Sequence, residues 1–227
     1  MTNDIYKIDD VFNHSEESMY IKSYMFIKGY AVAKDLKQTL IALAFARTLH
    51  DGQHRKDGVP YVMHPLKVCS TLINYGVDDD IVLASALLHD VLEDCADKLP
   101  MGGKELVSEY NLDIEVLETI KILTKEHGAT QKELYHYFQR IKENPKALLV
   151  KLSDRLHNSS TLYTFSREKI KEYIAETNHF VLPIASYGKV YYPEYTNAFS
   201  ILKSNIYSLN HTMEIMIQKF ESEEHNK

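Results

Sequence analysis

An apolar segment that carries a cluster of imidazole and carboxylate groups limits how this chain can fold. Residues 81–96 combine a nearly all-apolar helix pattern with His89-Asp90 and Glu93-Asp94. At about 100° per residue, these four side chains share an arc of roughly 140° on a helix. A helix that is apolar almost all round is usually buried, and buried carboxylates are costly unless they are paired or bind metal. The segment contains no Lys or Arg, so it predicts a divalent metal site, with an exposed acidic helix end as the alternative.

Two other segments supply possible partners for this cluster. His64 precedes Pro65, a residue suited to the first helical position, and Asn144-Pro145 begins a second helix in the same way. That helix carries Asp154 and Asn158, which are four residues apart and share a face. Two imidazoles and two carboxylates form a mixed nitrogen and oxygen set, which favours Mn, Fe or Zn over Ca or Mg. The candidate metal ligands are therefore His64, His89, Asp90 and Asp154.

Five segments, in this order along the chain, resemble the hydrolase domain of the RelA/SpoT family, within the HD superfamily of metal-dependent phosphohydrolases. They are residues 46–58, 61–65, 86–94, 123–125 and 150–158. The resemblance extends from about residue 40 to about residue 171 and continues more weakly to the C-terminus. It implies an all-α HD-type bundle of about ten helices that uses a divalent metal, foremost Mn²⁺. The implied reaction converts (p)ppGpp to GDP or GTP plus pyrophosphate.

The second acidic pair is predicted to be catalytic. Glu93 and Asp94 lie one helical turn beyond His89-Asp90, which makes them poor candidates for further ligands of the same ion. Carboxylates at that distance can orient a water molecule or take its proton, and the resemblance implies the same use of this pair. For Asp94 alone, a hydrogen bond to the backbone at the helix end is the structural alternative.

The predicted substrate-binding residues are cationic or polar. A guanidinium can stack on a purine and an ammonium group can bind phosphate. The resemblance implies that Arg55 packs on the guanine and that Lys56 lies near the base or the phosphates. It also implies nucleotide contacts for Asn158 and Lys171, and with weaker support for Thr161. A solvated basic turn is the alternative interpretation of Arg55-Lys56.

Departures from the family pattern concern the outer wall of the predicted pocket. His157, on a mostly apolar helix, is interpreted as structural, and Ser159-Ser160-Thr161 stands where the family usually has Met-Arg-Thr. Residues 176–188 keep the Pro and the following Ala of their counterpart but lack its His-Arg. Substrate choice therefore stays open. The alternatives are a related hydrolase acting on (p)ppApp or on the 2′-phosphate of NADPH, and a non-catalytic nucleotide-binding protein.

Composition narrows the protein class. The chain has 227 residues and a net charge of −6, so it lacks the basic footprint of a nucleic-acid-binding protein. It has no apolar run long enough for a membrane span and no signal-peptide pattern. Two cysteines in a chain of this size favour a reducing, cytoplasmic setting. We expect a stand-alone enzyme with a small nucleotide substrate, which could form a homo-oligomer.

Helical patterns cover almost the whole chain. The predicted helices are 15–29, 35–50, 65–75, 79–95, 103–110, 113–125, 130–143, 145–162, 167–186 and 193–219. Residues 130–133 have capping-box spacing, and a short hairpin near residue 57 is the only strand signal. The predicted organisation is an N-terminal helical extension packed on the core (1–35), the HD-type hydrolase domain (36–220) and a frayed tail (221–227).

Overall fold

The computed structural model describes residues 16–56, 58–125 and 128–225, and this part of the chain is an all-α bundle. The predicted fold class is therefore confirmed. The α-helices are α1 (Glu16–Ala33), α2 (Lys37–Leu49), α3 (Met63–Asn74), α4 (Asp80–Leu88), α5 (Val91–Asp94), α6 (Lys104–Ser108), α7 (Ile114–Leu123), α8 (Gln131–Glu143), α9 (Pro145–Ser160), α10 (Arg167–Glu176), α11 (Leu182–Tyr191) and α12 (Thr196–His225). Short 3₁₀ turns lie at Leu162–Thr164 and Pro193–Tyr195, and a π turn spans Thr177–Val181.

Helices α4 and α9 form the centre of the core. Seven residues of α4 are buried, and this helix packs against α2, α3, α7 and α9. Helix α9 also contacts α3, α8, α11 and α12, and its apolar face from Ala147 to Leu152 is buried. Side-chain caps fix where both helices begin, because Asp79 accepts from the backbone of Val82 and Asn144 accepts from that of Ala147.

The predicted helix 79–95 is interrupted, so that boundary prediction is wrong. Helix α4 ends at Leu88, and α5 begins at Val91. The Nδ1 atom of His89 lies 2.9 Å from the carbonyl oxygen of Ala86, the acceptor that an uninterrupted α-helix offers to the N–H of Asp90. The turn between α4 and α5 carries the His-Asp pair, and this side-chain hydrogen bond joins it to the last turn of α4.

Other boundaries differ in smaller ways. Helix α3 begins at Met63, so Pro65 lies within the first turn and not at its first position. The predicted helix 167–186 is divided by the π turn and continues to Tyr191. Near the hairpin expected at residue 57, an isolated bridge joins His54 and Pro60 in place of strands, and Asp57 itself lies outside the described residues. The capping box of Thr130 and Glu133 is confirmed.

The two ends of the chain are helical where they are described. Helix α1 packs against α2 and α3 and buries Ile27 and Ala31 completely. Helix α12 packs on α9 and α11 and continues to His225. Residues 1–15 of the predicted extension and residues 226–227 of the predicted tail lie outside the described residues.

Candidate active site

Four predicted ligand side chains meet where α3, α9 and the turn between α4 and α5 come together. The Nε2 atom of His64 lies 3.1 Å from Nε2 of His89 and 3.3 Å from a carboxylate oxygen of both Asp90 and Asp154. The Nε2 atom of His89 lies 3.1 Å from the same Asp90 oxygen and 3.8 Å from the same Asp154 oxygen. Both imidazoles and Asp154 are buried, so these groups face one another and not bulk solvent.

The donor set fits a first-row divalent ion. Donors bound at ~2.1 Å lie ~3–3.5 Å apart around one ion, close to the separations between these nitrogen and oxygen atoms. Within the described residues, His64, His89 and Asp90 form a group able to hold a metal ion. Asp154 adds a fourth donor, whose oxygen Oδ1 points to both imidazoles. Two nitrogens and two carboxylate oxygens suit Mn, Fe or Zn.

Hydrogen bonds on the far side of each imidazole leave its Nε2 atom free to bind metal. A carbonyl oxygen can only accept, so the contact of His89 Nδ1 with Ala86 places the proton on Nδ1. His64 Nδ1 lies 2.8 Å from Nδ1 of His157. Burial, followed by the neighbouring His64 and Arg55, lowers the pKa of His157 to about 3. A neutral His157 can accept a hydrogen bond from His64. The structural role predicted for His157 is therefore to orient a proposed metal ligand.

The carboxylates are also held in place. The hydroxyl of Tyr61 donates to Oδ2 of Asp90 at 2.7 Å, and the ammonium group of Lys151 donates to Oδ2 of Asp154 at 3.0 Å. Asn158 donates to Oδ1 of Asp154, as their shared helix face predicts. Tyr61 and Asn158 thus bond to the same carboxylate oxygens that face the imidazoles, whereas Lys151 bonds to the other oxygen of Asp154. Together these bonds restrict the rotation of both carboxylates.

The electrostatics of the cluster favour a cation. Burial alone would lower the pKa of His89, but Asp90 and Asp154 together raise it to about 10. Burial opposes ionisation of Asp90 and Asp154, yet the imidazoles, and Lys151 for Asp154, hold both carboxyl pKa values well below their usual range. The site therefore retains positive charge between its carboxylates, and a divalent ion would take the place of that charge.

Glu93 and Asp94 border the same cleft from α5. The Glu93 carboxylate is half-buried and accepts the backbone N–H of Lys125. Burial raises the pKa of Glu93, and Asp90 and Asp94 raise it further while the Lys125 backbone opposes them. Asp94 is exposed. Both carboxylates line the cleft but lie outside the close His and Asp group, so their positions are separate from those of the predicted ligands.

The cleft has a volume of about 420 Å³. Its walls contain three of the four predicted metal ligands, the acidic pair and four of the five predicted substrate-binding residues. The lining residues are His54, Arg55, Lys56, Tyr61, His64, Asp90, Glu93, Asp94, Lys151, Asp154, Asn158, Thr161, Thr164 and Phe165. Metal-binding and nucleotide-binding candidates thus share one concave surface. Its size and shape are usual for sites that bind small molecules.

The basic turn lies against the end of α9. The guanidinium of Arg55 donates to the side-chain oxygen of Asn158 at 2.9 Å and to the Thr161 hydroxyl at 3.5 Å. The ammonium group of Lys56 lies 4.4 Å from the ring centre of Phe165. Arg55, Asn158 and Thr161 are half-buried, whereas Lys56 is exposed, so this wall is built at the surface of the protein.

Lys171 is the one predicted substrate residue that does not join the cleft. It lies on α10 and pairs with Glu221 of α12. Both residues border a separate surface cavity between these helices. Its position on α10 directs it toward the C-terminal helix and away from the cleft, and its substrate role stays a prediction.

Sequence reasoning missed Lys151 and Tyr61 as parts of the site. Lys151 precedes Asp154 by three residues and so shares its helix face, a spacing that could have identified it. Tyr61 begins the segment that contains His64, but nothing in its type predicts a hydrogen bond to Asp90. Burial raises the pKa of Tyr61, as do Asp90 and Asp94, so Tyr61 remains a hydrogen-bond donor.

The profile of the HD domain family matches residues 42–186. The chain belongs to the HD domain family. The predicted superfamily is therefore confirmed, and with it a dependence on divalent metal to which the His and Asp group corresponds. No described helix combines the length and apolar character needed to cross a lipid bilayer.

The curated relatives of this chain carry alarmone-related names. It is 38% identical over 149 residues to a guanosine-3′,5′-bis(diphosphate) 3′-pyrophosphohydrolase of Aquifex aeolicus, covering 63% of this chain and 20% of that protein. It is 28% identical over 212 residues to the bifunctional (p)ppGpp synthase/hydrolase SpoT of Escherichia coli, covering 87% and 30%. A pyrophosphohydrolase of Borreliella burgdorferi is 29% identical over 191 residues, covering 81% and 26%. The chain thus spans less than a third of the length of these relatives.

Proposed function

We propose that this protein hydrolyses the 3′-diphosphate of (p)ppGpp and releases pyrophosphate and GDP or GTP. The observation that carries the proposal is the convergence of two imidazoles and two carboxylates in a cleft whose rim presents Arg55, Lys56 and Asn158. The names of the relatives support the same reaction. This combination suits a substrate with a dense phosphate charge attached to a purine ribose.

His64, His89, Asp90 and Asp154 would hold the metal, for which we propose Mn²⁺. A divalent ion supplies Lewis acidity when bound, because it polarises a phosphoryl group and lowers the pKa of a water molecule. The imidazoles can bind as neutral ligands, since their Nδ1 atoms face Ala86 and His157. The carboxylates of Asp90 and Asp154 then offset the charge of the ion.

Glu93 and Asp94 are proposed to orient the attacking water and take its proton. Attack occurs at the phosphorus attached to the ribose 3′ oxygen. The bond between that phosphorus and the 3′ oxygen breaks, the water oxygen becomes part of pyrophosphate, and the proton returns to the 3′ oxygen. The raised pKa of Glu93 lies closer to neutral pH than that of an exposed glutamate. A group with such a pKa can both take and return a proton efficiently.

Arg55 is proposed to stack on the base, and Lys56, Asn158 and Thr161 to face the ribose and phosphates. The hydrogen bond from Arg55 to Asn158 supports this arrangement, because it restrains the guanidinium at the cleft rim. Lys151 supplies a second cation inside the cleft, 3.0 Å from Asp154. We propose that its main role is to offset the charge of the Asp154 carboxylate, and that it also binds a substrate phosphate.

Mass spectrometry of products tests the function. Purified protein is incubated with ppGpp, pppGpp, ppApp or NADPH and Mn²⁺, with Mg²⁺ and Zn²⁺ in parallel. We expect pyrophosphate from the guanine alarmones, with the highest turnover in Mn²⁺. Preferred turnover of ppApp would move the assignment to an adenine alarmone, and orthophosphate from NADPH alone would move it to a 2′-phosphatase. Absence of turnover on every substrate would favour a nucleotide-binding protein without catalysis.

A further inference from the structure

A second cavity lies on the other side of α5 from the metal cleft. Its volume is about 560 Å³, larger than that of the metal cleft, and it opens between α7 and α8. The lining residues are Leu92, Ala96, Leu99, Gly102, Lys121, Thr124, Lys125, Ala129, Glu133, His136, Tyr137 and Arg140. The metal cleft shares none of these residues, so the cavity is not an extension of the proposed substrate site.

The floor of this cavity is apolar and held by the core. Leu99 and Tyr137 are buried and Leu92 is half-buried. The Tyr137 hydroxyl donates to the carbonyl oxygen of Leu123 at 2.8 Å, which ties α8 to the end of α7. An apolar surface in a fixed recess favours the apolar body of a small ligand over water.

The rim of the cavity is cationic. Lys121 and Lys125 come from the end of α7 and the residues after it, and His136 and Arg140 come from one face of α8. Lys121 and Arg140 are exposed and make no ion pair within the part of the chain that the structure describes. Lys125 is engaged, since its ammonium group lies 3.6 Å from Glu176.

Glu133, the acidic residue among those that line the cavity, caps the start of α8. Both the backbone N–H and the hydroxyl of Thr130 donate to the Glu133 carboxylate at 2.7 Å. This capping box keeps the oxygens of Glu133 directed at the start of α8. The remaining rim charges are positive, and a concave surface of one sign concentrates ions of the opposite sign.

We propose that this cavity binds a small organic anion: an apolar or aromatic body on the floor and a phosphate group at Arg140 and Lys121. The volume corresponds to a molecule of mononucleotide size, and Arg is suited to phosphate because its donors form a planar fork. The site adjoins the proposed active site, since the backbone N–H of Lys125, a lining residue, donates to Glu93. It is independent of the proposed hydrolysis, because no metal ligand takes part in it.

Isothermal titration calorimetry of the full chain with GMP, AMP and orthophosphate tests the proposal. We expect at least one nucleotide to bind ~10-fold or more tightly than orthophosphate, because only the nucleotides have a body for the apolar floor. Arg140→Ala and Lys121→Ala should each weaken that binding ~10-fold or more by removing a charge-assisted contact. Lys132→Ala removes the same charge from an exposed position of α8 that does not line the cavity, and it should leave the affinity unchanged.

Arg55→Ala serves as the reference for binding in the metal cleft, and thermal midpoints check that every variant folds. Nucleotide affinity that survives Arg55→Ala but falls in both cavity variants supports the proposal. The proposal is overturned if Arg140→Ala and Lys121→Ala bind like the unsubstituted protein. It is also overturned if orthophosphate binds as tightly as the nucleotides, or if no nucleotide binds.

Discussion

The two walls of the metal cleft are built in different ways. On the metal wall, His64, His89 and Asp154 are buried and come from three separate elements of the core, with donor atoms 3.1–3.8 Å apart. On the proposed nucleotide wall, Arg55 and Lys56 lie on a surface turn and Thr161 ends a helix. Helix packing fixes the first wall, whereas a few polar contacts between side chains fix the second.

One departure from the family pattern lies at the surface and outside the metal wall. A buried charge without a partner is strongly unfavourable, so a substitution on the metal wall affects both the core and the ion. Ser160, at an unusual position of the family pattern, is exposed, and its hydroxyl donates to the carbonyl oxygen of His157. Changes at such a position alter the surface near the nucleotide wall while α9 remains intact.

The largest effect is expected for Asp154→Asn on the metal wall. This change removes a ligand and leaves Lys151 without its carboxylate partner. A catalytic ion contributes several kcal/mol, so kcat/KM should fall at least ~10³-fold. Elemental analysis should show loss of metal. Asp97→Asn, at an exposed loop position, is the control, and unchanged metal content in Asp154→Asn would refute the ligand assignment.

A smaller but still large loss is expected from the acidic pair. Glu93→Gln and Asp94→Asn should each lower kcat ~10²-fold or more, because general acid-base catalysis contributes that much. Both variants should keep their metal, since neither carboxylate belongs to the close His and Asp group. Kinetics and elemental analysis on the same preparations separate the two roles. Turnover near that of the unsubstituted protein in both variants would make the pair structural.

The pH dependence should identify which member of the pair is the base. A base acts in its ionised form, and burial raises the pKa of Glu93. The carboxyl group therefore stays protonated to higher pH than an exposed glutamate, and kcat/KM should increase with pH through that raised value. Rates between about pH 4 and pH 8 test this prediction. Glu93→Gln should remove the acidic limb and Asp94→Asn should retain it, whereas an unchanged limb in Glu93→Gln would exclude Glu93 as the base.

On the nucleotide wall, Arg55→Ala should change binding more than chemistry. Stacking on a base contributes ~1–3 kcal/mol and is present in both the bound substrate and the transition state. We expect KM to increase ~5–150-fold while kcat changes little. Arg47→Ala is the matched control, because its guanidinium lies over Tyr20 outside the cleft. A fall in kcat at constant KM would assign Arg55 to positioning Asn158 and, through it, Asp154.

The metal wall could be predicted from the sequence because a buried helix that carries carboxylates has few ways to compensate their charge. An apolar helix that ends in His89-Asp90 needs a compensating partner, and the flanking His64 and Asp154 have the type and spacing to provide it. The capping residue Asn144 and the following Pro145 likewise specify where α9 begins. The cap and the His-Asp pair are local signals that can be read without the tertiary structure, whereas His64 and Asp154 are grouped with that pair by residue type and by the resemblance.

The remaining features depend on contacts between distant parts of the chain. The break after Leu88 accompanies a hydrogen bond from the His89 side chain to the Ala86 carbonyl oxygen, which helical periodicity does not encode. The interaction of Glu93 with the backbone of Lys125 joins residues 32 positions apart. The direction of Lys171 is set by how α10 packs on α12, and neither the helix pattern nor the resemblance predicts its pairing with Glu221.

The smallest effect is therefore expected for Lys171→Ala, which tests the boundary of the nucleotide wall. The Lys171 and Glu221 side chains are 55% and 37% exposed, and an exposed ion pair contributes ~0.2–1 kcal/mol. KM and kcat should remain unchanged, while chemical denaturation should detect at most that small loss of stability. Lys56→Ala, which removes the same charge from the cleft rim, should raise KM for the same substrate. A rise in KM for Lys171→Ala comparable to that for Lys56→Ala, with stability unaltered, would mean that α10 contributes to substrate binding after all.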